Sequence, residues 1–164
     1  MANLRGVLTA LFLFAGCTAM QPPSPPLASS GSALGYVDSI RFRISSWGNP
    51  MEEFDIGITG MGEYRKATPA GDALEIHRFN VGAAGFTRMR AVLAGIEHFT
   101  VKGPVCGNRA TDFPYGEIAW VDGLRPTTVR FDVGCQGPEM QQVVTAAHEA
   151  ARLAEEYSRT NATP

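Results

Sequence analysis

A nine-residue stretch, VRFDVGCQG at residues 129–137, has an echo 52 residues earlier in HRFNVGAAG at residues 77–85. After the first position five of the remaining eight are identical, namely Arg78/Arg130, Phe79/Phe131, Val81/Val133, Gly82/Gly134 and Gly85/Gly137. Each copy closes an extended run and opens a stretch with helical spacing. The match therefore describes a duplicated strand-turn-helix unit, one supersecondary element used twice. Two helices separated by several hairpins imply an α+β fold, an antiparallel or mixed sheet of about six to seven strands with two helices on one face. The duplicated strands and helices are expected side by side, related by an approximate two-fold axis.

Alternation places the strands. Ile40, Phe42 and Ile44 alternate with Arg41 and Arg43, and Phe54, Ile56 and Ile58 with Glu53, Asp55 and Gly57. Each run has one buried and one wet face. Trp47-Gly48-Asn49-Pro50 between them is turn chemistry, so the two runs form a hairpin. Further strands are expected at residues 63–67, 74–81, 99–102, 117–121 and 127–133. A first helix over residues 85–97 presents Phe86, Met89, Val92, Leu93 and Ile96 on one face. The last helix opens at Gln136 or Gly137, with Pro138 in its first turn and Glu139 complementing the dipole. Its buried stripe is Met140, Val143, Val144, Ala147, Ala151, Ala154 and Tyr157.

Of 164 residues, 45% are hydrophobic and 18% charged, enough for one core. A net charge of −2 gives no basic field for nucleic acid, which is excluded as a partner.

The N-terminus reads as an export signal. Arg5 precedes an apolar run over residues 7–15, at about nine residues too short to span a bilayer. Phe14-Ala15-Gly16-Cys17 at its end resembles the lipobox of bacterial lipoproteins, with Phe14 in place of the favoured Leu. That resemblance implies lipidation of Cys17, cleavage before it and, since Thr18 rather than Asp follows, sorting to the outer membrane facing the periplasm. The alternative is an ordinary secretory signal with an incidental thiol. More loosely, the second half, with TDFPYGEIAWVDG, is similar to uncharacterised bacterial lipoprotein domains of no assigned function. The implied organisation is a signal peptide at 1–16, a lipidated Cys and Pro/Ser-rich tether at 17–35, and one α+β domain at 36–160. Eighteen tether residues reach about 25 Å as a flexible chain. If Cys17 carries lipid, Cys106 and Cys135 remain, an even pair in an oxidising compartment, and are expected to form a disulfide.

Catalytic patterns fail on context. His148-Glu149-Ala150-Ala151-Arg152 begins like a zincin helix, but Arg152 stands where the second His must be. His98 closes the first helix, and His77 shares the register of Val129 and reads as structural. The Gly-rich stretch 57–62 opens no helix, and VGCQG has no P-loop Lys. No metal or cofactor site is implied. The loop over residues 103–115 is long for a compact domain and holds Arg109, Asp112, Phe113 and Tyr115, the best binding candidates. Trp47 joins them if the first hairpin turn lies on the same edge. The competing reading has Phe113 and Tyr115 covering the open end of the core, with Arg109 and Asp112 solvated. The functional expectation is a non-enzymatic envelope lipoprotein, held to the membrane through its N-terminal lipid, that binds an envelope protein or cell-wall partner or has a structural role. The alternative is an enzyme acting on cell-wall or envelope substrates, with a catalytic side chain at Asp112, His77 or Glu149.

Overall fold

Alternating burial fixes the middle of the sheet. In β1 (Ser39–Ser46) Ile40, Phe42 and Ile44 are buried while Arg41 and Arg43 face solvent. This is a computed structural model, describing residues 34–70 and 73–163. The signal segment, Cys17 and the tether up to residue 33 lie outside the described residues, as do Gly71 and Asp72 of the expected turn. The remaining strands are β2 (Asn49–Gly57), β3 (Met61–Ala67), β4 (Leu74–Asn80), β5 (Tyr115–Asp122) and β6 (Arg125–Asp132). Their order is β4-β3-β2-β1-β5-β6, and every neighbouring pair is antiparallel. The sheet is thus antiparallel rather than mixed, with six strands.

One face of all six strands feeds a single core, to which Phe54, Ile56, Tyr64, Phe79, Ile118, Trp120, Val129 and Phe131 contribute beside the β1 residues. Each large apolar side chain so buried contributes about 1.5–3 kcal/mol relative to exposure. Phe42 stacks on Phe54 at 5.2 Å and lies 6.0 Å from Phe131, tying the inner strands to the β6 edge. Ile58 is excluded from this set. β2 ends at Gly57 before the turn, leaving Ile58 partly exposed.

Helices cover that core face. α1 (Gly82–Leu93) and the 3-10 turn Ala94–Ile96 bury Phe86, Met89, Leu93 and Ile96. α1 starts three residues ahead of expectation, because Gly82 takes φ +64° while its N–H is accepted by Asn80 Oδ1 at 3.1 Å. α3 (Pro138–Thr160) starts where Pro138 predicts, buries the whole expected stripe, and adds Ala150 and Leu153. Tyr157 Oη donates to Gly85 O at 3.1 Å, joining the two helices.

Residues 99–102 are helical rather than extended, forming the short α2 (Phe99–Lys102). In a strand Phe99 and Val101 would share a face; here Phe99 is buried and Val101 is 91% exposed. Thr100 N and Oγ1 both donate to Glu97 O, and Gly103 N to Phe99 O, closing one helical turn.

The repeated residues are not adjacent. β4 and β6 are the two edge strands, because β1 and its hairpin partner β2 enter the sheet between the units. Each is the return strand of a hairpin with the same register: Gly62 pairs with Phe79 and Glu63 with Arg78, while Gly116 pairs with Phe131 and Glu117 with Arg130. Both Phe rings lie over their Gly partner, where a Cβ would come within 2.6 Å of Phe79 Cζ or 2.5 Å of Phe131 Cζ.

The N-terminal arm is clamped before β1. Arg90 Nη2 donates to Leu34 O and Gly35 O at 2.7 Å, and the buried Glu97 accepts from Leu34 N at 3.3 Å. Asp38 N then donates to Val121 O. The chain therefore enters at the end of the sheet where Ser39, Gly57 and Val121 align. At the other end, roughly 23 Å away along eight residues of β1, lie the β1–β2 turn, the start of β5 and the end of β6. Among the described residues, no helix is long and apolar enough to cross a membrane.

Candidate functional site

The distal end of the sheet carries an open cleft of about 360 Å³ lined by Trp47, Arg109, Ala110, Thr111, Asp112, Phe113, Tyr115 and Asp132. It brings together all five residues singled out in the sequence. Three come from the 103–114 loop, Tyr115 from the first position of β5, and Trp47 from the β1–β2 turn.

The loop is held as an extra strand against the segment linking β6 to α3. Ala110 N donates to Gly134 O and Gln136 N to Asn108 O, both at 2.9 Å, around an antiparallel bridge between Arg109 and Cys135. Val133 N donates to Pro114 O at 2.9 Å, and Val105 N donates to Glu139 Oε2 at 2.8 Å. Gly134 is required where the strands touch: a Cβ there would lie 2.3 Å from Ala110 O. Cys106 and Cys135 are disulfide-bonded, with Cα atoms 5.2 Å apart. Closing a loop of 29 residues' separation contributes at most about 3.6 kcal/mol in the chain-entropy model.

The β1–β2 hairpin turns on two residues, Trp47 and Gly48, with φ +53° and +80° between the paired Ser46 and Asn49. Positive φ at both central positions is the type I′ geometry, which favours Asn-Gly; Trp at the first position is conformationally costly. Its indole is 76% exposed. Phe113 and Tyr115 are 50% and 45% exposed. Asp112 also takes a positive φ, +70°.

Charge in the cleft is unevenly matched. Arg109 Nη2 lies 2.7 Å from Asp132 Oδ2, and Asp132 Oδ1 accepts from Gly134 N at 2.9 Å. That carboxylate is engaged on both oxygens. Asp112 makes one weak contact, from Thr111 Oγ1 at 3.4 Å, and among the described residues it has no ion pair. Asp132 is the lining residue missed in the sequence reading. Its signal was the repeat itself, since the first unit has Asn80 at that position and Asp132 adds a charge.

The other sequence candidates lie apart from the cleft. His77 Nε2 is 3.2 Å from Glu75 Oε1 at the β4 edge. His148 and Glu149 are exposed on α3, where Arg152 reaches Glu156 at 3.6 Å. His98 is exposed beside Phe99. Among the described residues no group of three or more His, Cys, Asp or Glu could hold a metal ion.

A larger groove, about 520 Å³, crosses the uncovered sheet face over Arg41, Arg43, Glu53, Asp55, Arg65 and Glu117. Its charges answer one another: Arg43 to Glu53 at 2.7 Å, Arg65 to Asp55 at 3.3 Å, and Arg65 also to Glu63. Burial pushes the Asp55 carboxyl above its ordinary value despite the opposing pull of Arg65. This is a cross-strand ladder whose charges stabilise one another. The smaller distal cleft, with its exposed rings and unpaired carboxylate, is the better binding site despite its size.

No family model matches the chain, and no curated protein matches it.

Proposed function

We propose that this protein is a non-enzymatic lipoprotein of the bacterial envelope, anchored through Cys17, that uses the distal cleft to bind an envelope protein or cell-wall component. The observation that carries this reading is the placement of the cleft. Trp47, Arg109, Asp112, Phe113 and Tyr115 converge at the end of the sheet opposite the point where the N-terminal arm enters. An attachment at Cys17, ahead of the point where the arm enters, leaves the cleft end of the sheet as the end farther from that attachment. Exposed aromatic side chains gathered beside a loop fixed by a disulfide are the groups a preorganised binding surface uses. The lipobox resemblance supports an outer-membrane location facing the periplasm.

The alternative, an enzyme acting on cell-wall substrates, would draw on the cleft carboxylates. Asp132 is committed to Arg109 and to Gly134 N–H, which leaves Asp112 without a poised partner for acid–base work.

We also infer that the two hairpin-and-helix segments descend from one duplicated unit. Their shared Gly–Phe and Glu–Arg registers support it. The second copy then acquired Cys135 where the first keeps Ala83, and Asp132 where the first keeps Asn80.

Two results test the reading. Radiolabelled palmitate should enter the wild type and not Cys17→Ser, which should be recovered soluble from the periplasm; equal labelling removes the anchor. In-cell chemical crosslinking should then yield a discrete adduct in the wild type that is lost in the Trp47→Ala, Phe113→Ala double variant and retained in His77→Ala and Glu149→Ala, which lie outside the cleft. Loss of cellular function at either of those two positions with the adduct intact would favour the enzyme.

A further inference from the structure

We infer that the distal cleft recognises a lysine-type side chain, a primary ammonium on an alkyl stem, presented by the partner; this rests on the cleft being the binding site proposed above. Charge decides the sign of the ligand. Arg109 and Asp132 neutralise each other at 2.7 Å, so the lining residues carry one uncompensated charge, the carboxylate of Asp112. An anionic ligand would meet that carboxylate, and the charge Arg109 could offer it is already offset by Asp132.

Aromatic character decides the kind of cation. Trp47, Phe113 and Tyr115 expose their rings around the cleft. None forms a ring contact with another aromatic side chain among the described residues. Each residue is at least 45% exposed, so ring surface is available to a ligand. A cation over such a face is attracted by the ring quadrupole, most strongly over Trp. A carboxylate beside the rings supplies the direct counter-charge, and a ring surface also accepts the methylene stem, as long ammonium side chains normally require. A cavity of about 360 Å³ accommodates such a side chain together with its backbone. A small hydrated inorganic ion would use none of the aromatic surface.

The protein carries its own reporter. Trp47 is exposed at the cleft and Trp120 is buried in the core, so ligand-induced changes in indole emission report Trp47. The full chain, purified from membranes in detergent, is titrated with Nα-acetyl-lysine amide, with its neutral isostere Nα-acetyl-norleucine amide, and with tetramethylammonium as a head without a stem. Saturable quenching is expected with the lysine amide, and affinity at least roughly tenfold weaker for each comparator. Calorimetry should show the same tenfold loss for the lysine amide in Asp112→Asn, a change that removes the charge while keeping a residue suited to positive φ. Trp47→Asn, which suits the turn, should lose binding while remaining folded. Equal binding of the norleucine amide, equal or tighter binding of tetramethylammonium, full affinity in Asp112→Asn, or no binding of the lysine amide would each overturn the inference. A partner crosslinked from the cleft in cells despite such a result would show that only the ligand class is wrong; absence of both would remove the site as well.

Discussion

Trp47 and Asp112 come from different segments of the chain, line the same cleft, and are the two non-glycine residues with positive φ among the described residues, at +53° and +70°. Local sequence preference explains only the second. Asp tolerates the left-handed region, but Trp does not, and residues held there tend to mark sites where geometry serves function.

Trp47→Asn should therefore stabilise the fold. The left-handed conformation costs an ordinary side chain about 1–2 kcal/mol, Asn-Gly is the preferred type I′ pair, and the largely exposed indole gives up little burial. A gain of up to about 1 kcal/mol, a rise of a few degrees in Tm, is expected in thermal and urea melts. Destabilisation by a similar amount would mean that the indole packs on the domain and is not held out for a ligand.

Removing the crosslink should loosen the loop before the core. Cys106→Ala, Cys135→Ala should lower stability by up to about 3.6 kcal/mol, less where denatured-state structure already restricts the chain. Limited proteolysis should then cut within residues 103–114 while the sheet survives. Alkylation of both Cys106 and Cys135 in native protein isolated without reductant would contradict the pairing.

Acid should act through the sheet ladder with two opposite signs. Hydrogen bonds from Arg78 and Arg65 hold the Glu63 carboxyl below its ordinary value. Its contribution is present above the unfolded value, about 4.3, and is lost as pH falls through the lower folded value. Glu63 keeps a quarter of its side chain exposed, so solvent screens the effect. Asp55, raised by burial, has the reverse sign: its ionised form is disfavoured in the fold and the penalty lifts as pH falls. Urea melts should show Glu63→Gln less stable than wild type at pH 7 and converging with it below about pH 4. Asp55→Asn should lose no stability at pH 7. A wild-type profile unchanged by both substitutions would show that the ladder does not couple to folding.

Much of the fold was legible where one local rule had no competitor. Ile40, Phe42 and Ile44 define β1 by alternation, and Pro138 with the stripe from Met140 to Tyr157 defines α3. Residues 99–102 were misread because Phe-Thr-Val-Lys satisfies an alternating pattern over four residues, a length at which helix and strand periods are indistinguishable; the carbonyl of Glu97 decides for a helical turn. The repeated residues fall at matching hairpin positions, but the expectation that they lie side by side is wrong. Identity between β4 and β6 says nothing about β1, whose simultaneous pairing with β2 and β5 is a long-range event that sends the copies to opposite edges. In the site, loop length and aromatic content picked out residues 109–115, and turn chemistry placed Trp47. Asp132 was hidden because a strand-end Asp looks like ordinary turn chemistry until Arg109 is brought across to it.

The central claim is that the end of the sheet carrying Phe113, opposite the end where the N-terminal arm enters, meets the partner. A photoreactive amino acid placed at Phe113 in the full-length protein, and separately at the exposed Leu124 of the β5–β6 turn at the end where the N-terminal arm enters, tests it in living cells. The account predicts one discrete light-dependent adduct from position 113, abolished by Asp112→Asn in the same chain, and none of that mass from position 124. The same adduct from both positions, or from position 124 alone, would contradict it.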